Sequence, residues 1–472
     1  MYGEDVLYLP VRELAAGIRA GRLSPVELAE SYLARLEAIG PQLNAVVTVL
    51  REQALAEARQ AEAEIGAGRY RGPLHGIPYG VKDLLATKGV PTTWGAEPYR
   101  HQVFDHDATV VRRLREAGAV LLAKLAMVEI AGGMGYDTAD ASLTGPALTP
   151  WNTGYWAGGS SSGSGAAVAA ALVPFAIGSE TWGSIVTPAA FCGVTGLRPT
   201  YGRVSRYGAM ALSWTMDKLG PLCRTADDCG IILAAIAGPD ALDPSAVDRP
   251  LEEIVTPPAH RWRIGVLKDA TKDIMPAVAE NFERALEVLS RVADIERDVE
   301  LPDHPYGAAA GLIIDAEAAS AFEELLESGK VQQLRAPGSR TGGYSGMVVL
   351  AKDYIKALRL RGPMQRDLDA FLASFDAVAT PTRGTVAYPA DRPFREAYRE
   401  YRGGTAIGAA GNVAGLPAIA VPNGFGEHSL PTSLTLTGRA WDEAKLIAIA
   451  RAYQAATDWH TRRPPIAAVP RL

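Results

Sequence analysis

Between Gly158 and Ile185 the chain reads GGSSSGSGAAVAAALVPFAIGSETWGSI, six serines set among glycines and small apolar residues. Which structure this stretch forms decides the fold. Glycine and serine at such density usually make a flexible linker. Here the polar part ends by Gly165 and runs straight into an apolar, helix-competent segment. A phosphate loop needs G-x-x-x-x-G-K-[ST], with the lysine reaching the phosphates. After Gly158-x-x-x-x-Gly163 comes Ser164, so that lysine is missing. Gly159-Ser160-Ser161-Ser162-Gly163 does satisfy the G-x-S-x-G of a hydrolase elbow, which requires a strand just before it and a later Asp and His. The preceding TPWNTGYWAG is no strand, and His260, His304, His428 and His460 have no evident partners.

A fourth reading takes both ends of the stretch together. It places one serine at Ser160, a second at Ser184, and seeks a base upstream. A lysine can take a serine's proton if burial destabilises its ammonium form, and Ser-Lys arrangements are an alternative to Ser-His-Asp. Lys82, in GIPYGVKDLLATKG, follows a short apolar run and sits among glycines instead of on a charged helix face.

The remaining sequence bounds the class. Its 472 residues are 48% hydrophobic and 21% charged, enough for a large core. The net charge of −6 lacks the basic footprint of a nucleic-acid binder. The N-terminal MYGEDVLYLP is acidic where a signal peptide is basic. The longest apolar run, Ala166 to Ile177, is broken by Pro174 and falls short of the roughly 20 residues of a membrane span. A cytoplasmic protein with no membrane or nucleic-acid partner is expected. Cys192, Cys223 and Cys229 are odd in number and form no C-x-x-C pair, so they read as reduced thiols. His101 and His106 beside Asp105 and Asp107 read as a solvated loop, and no metal or cofactor is expected.

Helical and strand signals alternate, which indicates an α/β fold. The first seventy residues read as helices, opened by the capping box Ser24-Pro25-Val26-Glu27. A second helix runs from about Arg51 to Ile65. Strand-like pieces lie at Ile77 to Val81 and Ala119 to Met127, with a helix at Val110 to Ala117 between them. Ala166 to Ala171 reads as helix and Asp240 to Pro258 as a surface crossing. RWRIGVLKD, a helix near Pro276 to Val292 and ADIERDVEL make a β-α-β unit. Leu312 to Ser328 and Met347 to Phe375 read as helices, DAVATPT and PAIAVP as buried strands, and Glu443 to Trp459 as a closing helix. No linker forces a cut.

Three segments in order carry a resemblance to the amidase signature family of serine hydrolases. Family members have G-I-P-x-x-V-K-D, G-G-S-S-G-G-S and G-S-D-T-G-G-S-I. Here these are Gly76 to Asp83, Gly158 to Ser164 and Gly178 to Ile185. GRLSPVELAESYLARLEAIGPQLNAV, GLRPTYGRVSRYG and GNVAGLPAIAVPNG are similar to the family as well. The resemblance is strong over residues 1–230 and 345–460 and weak between. It implies a central mixed twisted β-sheet covered by helices on both faces, in a single domain over 1–472. That domain divides into a helical N-terminal part (1–70), a catalytic core (71–230), a variable substrate-shaping region (231–345) and a C-terminal part of the same sheet (346–472).

Carried over residue by residue, the resemblance makes Lys82 the base, Ser160 the bridging serine after a cis peptide bond, and Ser184 the nucleophile that forms an acyl-enzyme. Backbone N–H groups of Thr181, Trp182, Gly183 and Ser184 become the oxyanion hole, and Met134 falls where family members line the substrate site with backbone groups; the aromatic bulk of Trp182, where the family has glycine, makes it a second substrate-binding candidate. The chain departs from the family pattern at Trp182 (usually glycine), Val186 (usually arginine), Glu180 (usually aspartate) and Ser162 (usually glycine). The implied activity is hydrolysis of an amide, with esters and carbamates (urethanes) as related substrates, on a small molecule and with a homodimer left open. The alternative is the glutaminase subunit of a tRNA-dependent amidotransferase. Such subunits carry an Arg-Tyr-Asp-Gly run after an acidic helix, where this chain has AEAASAFEELLESGK. A non-catalytic binding protein would have lost Lys82 or Ser184, and neither is lost.

Overall fold

Short apolar runs with few alternating polar residues are what strands covered on both faces require, and the chain builds its centre from them. In the computed structural model, residues 1–253, 260–404 and 406–466 are described. Eleven strands form one mixed sheet: β1 (Val46–Val49), β2 (Pro78–Lys82), β3 (Val120–Leu125), β4 (Phe175–Glu180), β5 (Thr195–Arg198), β6 (Lys218–Cys223), β7 (Trp262–Leu267), β8 (Ala293–Val299), β9 (Ala377–Pro381), β10 (Ala418–Phe425) and β11 (Pro431–Thr437). Their order across the sheet is β1-β3-β2-β4-β6-β5-β10-β11-β9-β7-β8. Every residue of β2, β3, β4, β5, β6 and β11 is buried. Successive side chains point to opposite faces, so both faces of the central strands are covered.

Parallel pairing of β2 with β3 and β4 is what positions the site. Gly80 lies opposite Ala176 and Val81 opposite Ile177. The carboxyl ends of β2 and β4 therefore emerge at the same edge of the sheet, carrying Lys82 and Glu180. Between β3 and β4 the chain makes the helix Ser162–Ala169, which begins inside the serine-rich stretch, ahead of the expected Ala166. Gly163 permits this packing, because a Cβ there would stand 2.4 Å from both Ala126 N and Ala45 O.

The β-α-β unit is present: β7 and β8 are parallel and the helix Pro276–Leu289 joins them. The other expected helices appear as Arg51–Gly66, Thr109–Glu116, Tyr306–Ala321, Glu323–Glu327, Ala351–Leu372 and Glu443–Ala455. The N-terminal seventy residues are helical over Glu4–Leu7, Val11–Arg19, Pro25–Ile39 and Arg51–Gly66, and also contribute β1, which pairs antiparallel with β3. Ser24 caps its helix by accepting from Glu27 N at 3.1 Å. The return bond of the expected capping box is replaced by the Tyr2 hydroxyl, which accepts from Ser24 N at 2.8 Å. Of the expected surface crossing, residues 240–253 are free of helix and strand and the rest lies outside the described residues. Among the described residues, no helix is long and apolar enough to cross a membrane. All three cysteines are free and buried.

Candidate active site

Lys82 is the last residue of β2, and it has no exposed surface. Its Nζ lies 2.6 Å from Ser160 Oγ and 2.9 Å from Ser179 Oγ. Burial with so little compensation disfavours the ammonium form. The amine is brought down from 10.5 to about 7 by desolvation, against the opposing pull of Asp217 and Glu180. Ser160 follows a cis Gly159–Ser160 peptide bond, and its carbonyl accepts from Val128 N at 3.1 Å. Ser184 is joined to the same segment through its carbonyl, which accepts from Ser161 N at 3.2 Å. The three side chains are graded in depth: Lys82 is 0%, Ser160 1% and Ser184 9% exposed.

The other serines of the opening stretch are used in structure. Ser161 Oγ donates to Ser179 O at 3.1 Å and accepts from Ser179 N at 3.2 Å. This removes the elbow reading, because its nucleophile is buried and hydrogen-bonded on both sides. Ser164 Oγ donates to Ile177 O at 3.4 Å, which ties the helix to β4.

After β4 the chain turns through Thr181 to Ile185 into the helix Val186–Cys192. Gly183 makes the turn with φ +88°, in the left-handed region that favours glycine. Among the described residues, the backbone N–H groups of Thr181, Trp182, Gly183 and Ser184 have no hydrogen-bond acceptor. Four neighbouring free donors beside a serine suit an oxygen that gains negative charge.

Several charged groups to which the sequence assigns no role at the site hold this turn. Glu180 Oε2 accepts from Ile185 N at 2.9 Å and Val186 N at 3.1 Å, and its Oε1 pairs with Arg198 at 2.9 Å. Burial alone would raise this carboxyl, but Arg198, Lys218 and the hydrogen bonds pull it down to about 2. Glu180 thereby ties down the loop that lacks the family's arginine at 186. Asp217 accepts from Thr181 Oγ1 at 2.5 Å. Lys218 Nζ donates to Asn412 Oδ1 at 2.9 Å and Thr181 O at 3.4 Å. Desolvation, reinforced by Arg198, lowers Lys218 to about 7. Of these groups, the sequence singles out Glu180 alone, as a departure from the family pattern; a lysine opening the apolar run KLGPLC is the local signal that could have found Lys218.

Beside Trp182 and Gly183 opens a cleft of about 810 Å³. Trp182 is 43% exposed and forms part of its wall. The region expected to shape this cleft supplies only Ala270, Ile274 and Gly307, whereas residues 380–409 supply most of the lining. Met134 is buried beneath Gly342 and Gly343 and is not among the cleft's lining residues. Among the described residues no group of three or more His, Cys, Asp or Glu side chains is placed to hold a metal.

The Amidase family model matches residues 27–447. A glutamyl-tRNA(Gln) amidotransferase subunit from Methylococcus capsulatus is 38% identical over 96% of this chain and 98% of its own. The peptide amidase of Stenotrophomonas maltophilia superposes with a TM-score of 0.84 at 33% identity, over 97% of this chain and 98% of that one. The corresponding glutamyl-tRNA(Gln) amidotransferase subunit of Thermotoga maritima gives 0.76 at 29% identity, over 96% and 95%. A family match across most of the chain, an eleven-stranded mixed sheet and relatives aligned end to end place this chain in the amidase signature family, enzymes that cleave carbon–nitrogen bonds.

Proposed function

We propose that the protein hydrolyses a carbon–nitrogen amide bond through an acyl-enzyme on Ser184, with Ser160 as proton relay and Lys82 as base. The observation that carries this is the fully buried Lys82 amine, 2.6 Å from Ser160 Oγ and lowered to about 7. Neutral Lys82 takes the Ser160 proton as Ser160 takes that of Ser184, whose oxygen attacks the substrate carbonyl. The resulting oxyanion is received by N–H groups of residues 181–184. Collapse of the adduct expels the amine, which recovers the proton along the same path. Water then attacks the acyl-enzyme by the same relay. Esters and carbamates present Ser184 with a similar carbonyl and leaving group.

Intact mass after fluorophosphonate treatment, with peptide mapping, tests the assignment. One adduct on Ser184, absent from Lys82→Ala, is the expected result. An adduct on Ser161, or equal labelling without Lys82, overturns it. kcat/KM should rise with pH through about 7 as Lys82 loses its proton. Lys218 titrates in the same range, so the rise should persist in Lys218→Gln. A profile that loses its inflection in that variant assigns it to the wrong lysine.

A second reading, a glutaminase subunit that works with a partner and a tRNA, is favoured by the amidotransferase subunits among the relatives, 36–38% identical over nearly the whole chain. Favouring a stand-alone amidase is the higher structural likeness to the peptide amidase (0.84 against 0.76). Turnover of aryl amides by the isolated chain, with none of glutamine, supports the stand-alone reading. Glutamine hydrolysis that appears only with a co-purifying partner supports the other.

A further inference from the structure

The cleft beside the nucleophile turn carries charge that the hydrolytic step does not use. Arg198, Arg383 and Arg402 line it, and none of its lining residues is an aspartate or glutamate. Arg198 is tied by Nη1 to Glu180 at 2.9 Å and by Nε to Leu416 O at 3.0 Å, while its buried Nη2 has no hydrogen-bond partner among the described residues. Arg383 and Arg402 are exposed and form no ion pair with any described carboxylate. The contact of Arg402 is with a carbonyl, Arg399 O at 3.1 Å. Tyr388, on the same lining, registers their field. Burial alone would raise its phenol, yet the Arg383 guanidinium, with Thr385 and then Arg402, holds it below the ordinary tyrosine value.

The same cleft offers aromatic surface. Trp182 stands exposed two residues before Ser184, and Tyr388 and Tyr401 lie on the lining. Tyr388 is held by the rings of Phe394 at 5.2 Å and Tyr398 at 5.8 Å, with Phe191 edge-on at 5.7 Å, and Trp182 is the exposed ring of the lining. Fixed aromatic walls take up a planar ring at small entropic cost. A guanidinium matches the planar fork of a carboxylate, and two of them without an ion-pair partner among the described residues line this cleft.

We propose that this cleft is a binding subsite for an aromatic amide bearing a carboxylate, the ring against the exposed Trp182 and the anion held by Arg383 and Arg402. The inference rests on Ser184 as the nucleophile only in placing the scissile carbonyl beside Gly183. A zwitterionic amino acid matches the cleft less well, because its ammonium finds no carboxylate on the lining.

Calorimetric titration of the full-length Ser184→Ala protein with terephthalamate and with benzamide tests this. The two probes differ by one ring carboxylate, and no turnover is involved. Terephthalamate should bind about 10- to 100-fold more tightly, the range of a charge-assisted pair. In Ser184→Ala carrying Arg383→Gln and Arg402→Gln the ratio should fall towards one. Both arginines are exposed, so the variant should fold, and its thermal midpoint checks that. Equal affinities, a preference that survives the arginine substitutions, or no binding of terephthalamate overturns the proposal. Failure of fluorophosphonate to label Ser184 in the wild-type protein would instead sink the hydrolytic reading and leave this result standing.

Discussion

Lys82→Met should lower kcat by about 10⁴-fold or more, the loss seen when a member of a serine hydrolase relay is removed, while the folded protein becomes more stable at pH 6. The two effects have one cause. Lys82 is held in the fold with its amine moved from 10.5 to about 7. A shift of this size corresponds to on the order of 5 kcal/mol disfavouring the fold wherever both states are protonated, that is, below pH 7. Between pH 7 and 10.5 the unfolded chain binds the extra proton, so wild-type stability rises with pH across that window. Methionine removes this term and loses the hydrogen bonds to Ser160 and Ser179, each worth about 1 kcal/mol. A net gain of about 2–3 kcal/mol is expected at pH 6, shrinking towards pH 10, read by urea titration at several pH values. A variant that is inactive and also destabilised at pH 6 would show that the lysine serves the fold and not the chemistry.

Which parts were legible in the sequence follows from how local their signals are. Lys82, Ser160 and Ser184 each lie in a short segment whose residue types and order are specific, and the structure brings Lys82 and Ser160 into contact across 78 residues of sequence. The β7–helix–β8 unit was legible because β8 exposes alternate charged residues and the helix is amphipathic. By contrast β4 lay hidden in the run Ala166 to Ile177, where a strand buried on both faces has no period to separate it from the helix before it. β5 and β6 are short and contain Arg198, Lys218 and Pro221, which look like surface or turn residues until the fold buries them. Asp217 and Lys218 resemble a surface pair in sequence. Only the arrival of Asn412, 194 residues away, and of Glu180 and Arg198 explains their burial. Arg383 and Arg402 sit in segments rich in Pro and Gly, and only the tertiary fold brings both to the lining of one cleft.

Glu180→Ala should cost about 3–5 kcal/mol of stability and most of the activity. Arg198 and Lys218 are both buried, and truncating Glu180 leaves Arg198 without its paired carboxylate and Lys218 with Asp217 alone. Breaking a buried pair in this way leaves an uncompensated charge, which is the costly case. The N–H groups of Ile185 and Val186 lose their acceptor as well, so the turn that presents Ser184 is released. Shortening the side chain separates the two contributions. Glu180→Asp keeps the charge but draws the carboxylate back by one methylene from Arg198 and from the two N–H groups. If Glu180 and Val186 are matched departures from the family pattern, with the longer acid reaching Arg198 where aspartate would meet an arginine at 186, the substitutions will not be additive. Glu180→Asp should lose about 1–2 kcal/mol, and adding Val186→Arg should restore part of it. Coupling of about 1 kcal/mol in a double-mutant cycle, with kcat recovering alongside stability, is the expected outcome. Additive losses would mean that Glu180 holds the turn through Arg198 alone, and that the valine at 186 is a separate adjustment of the cleft wall it lines.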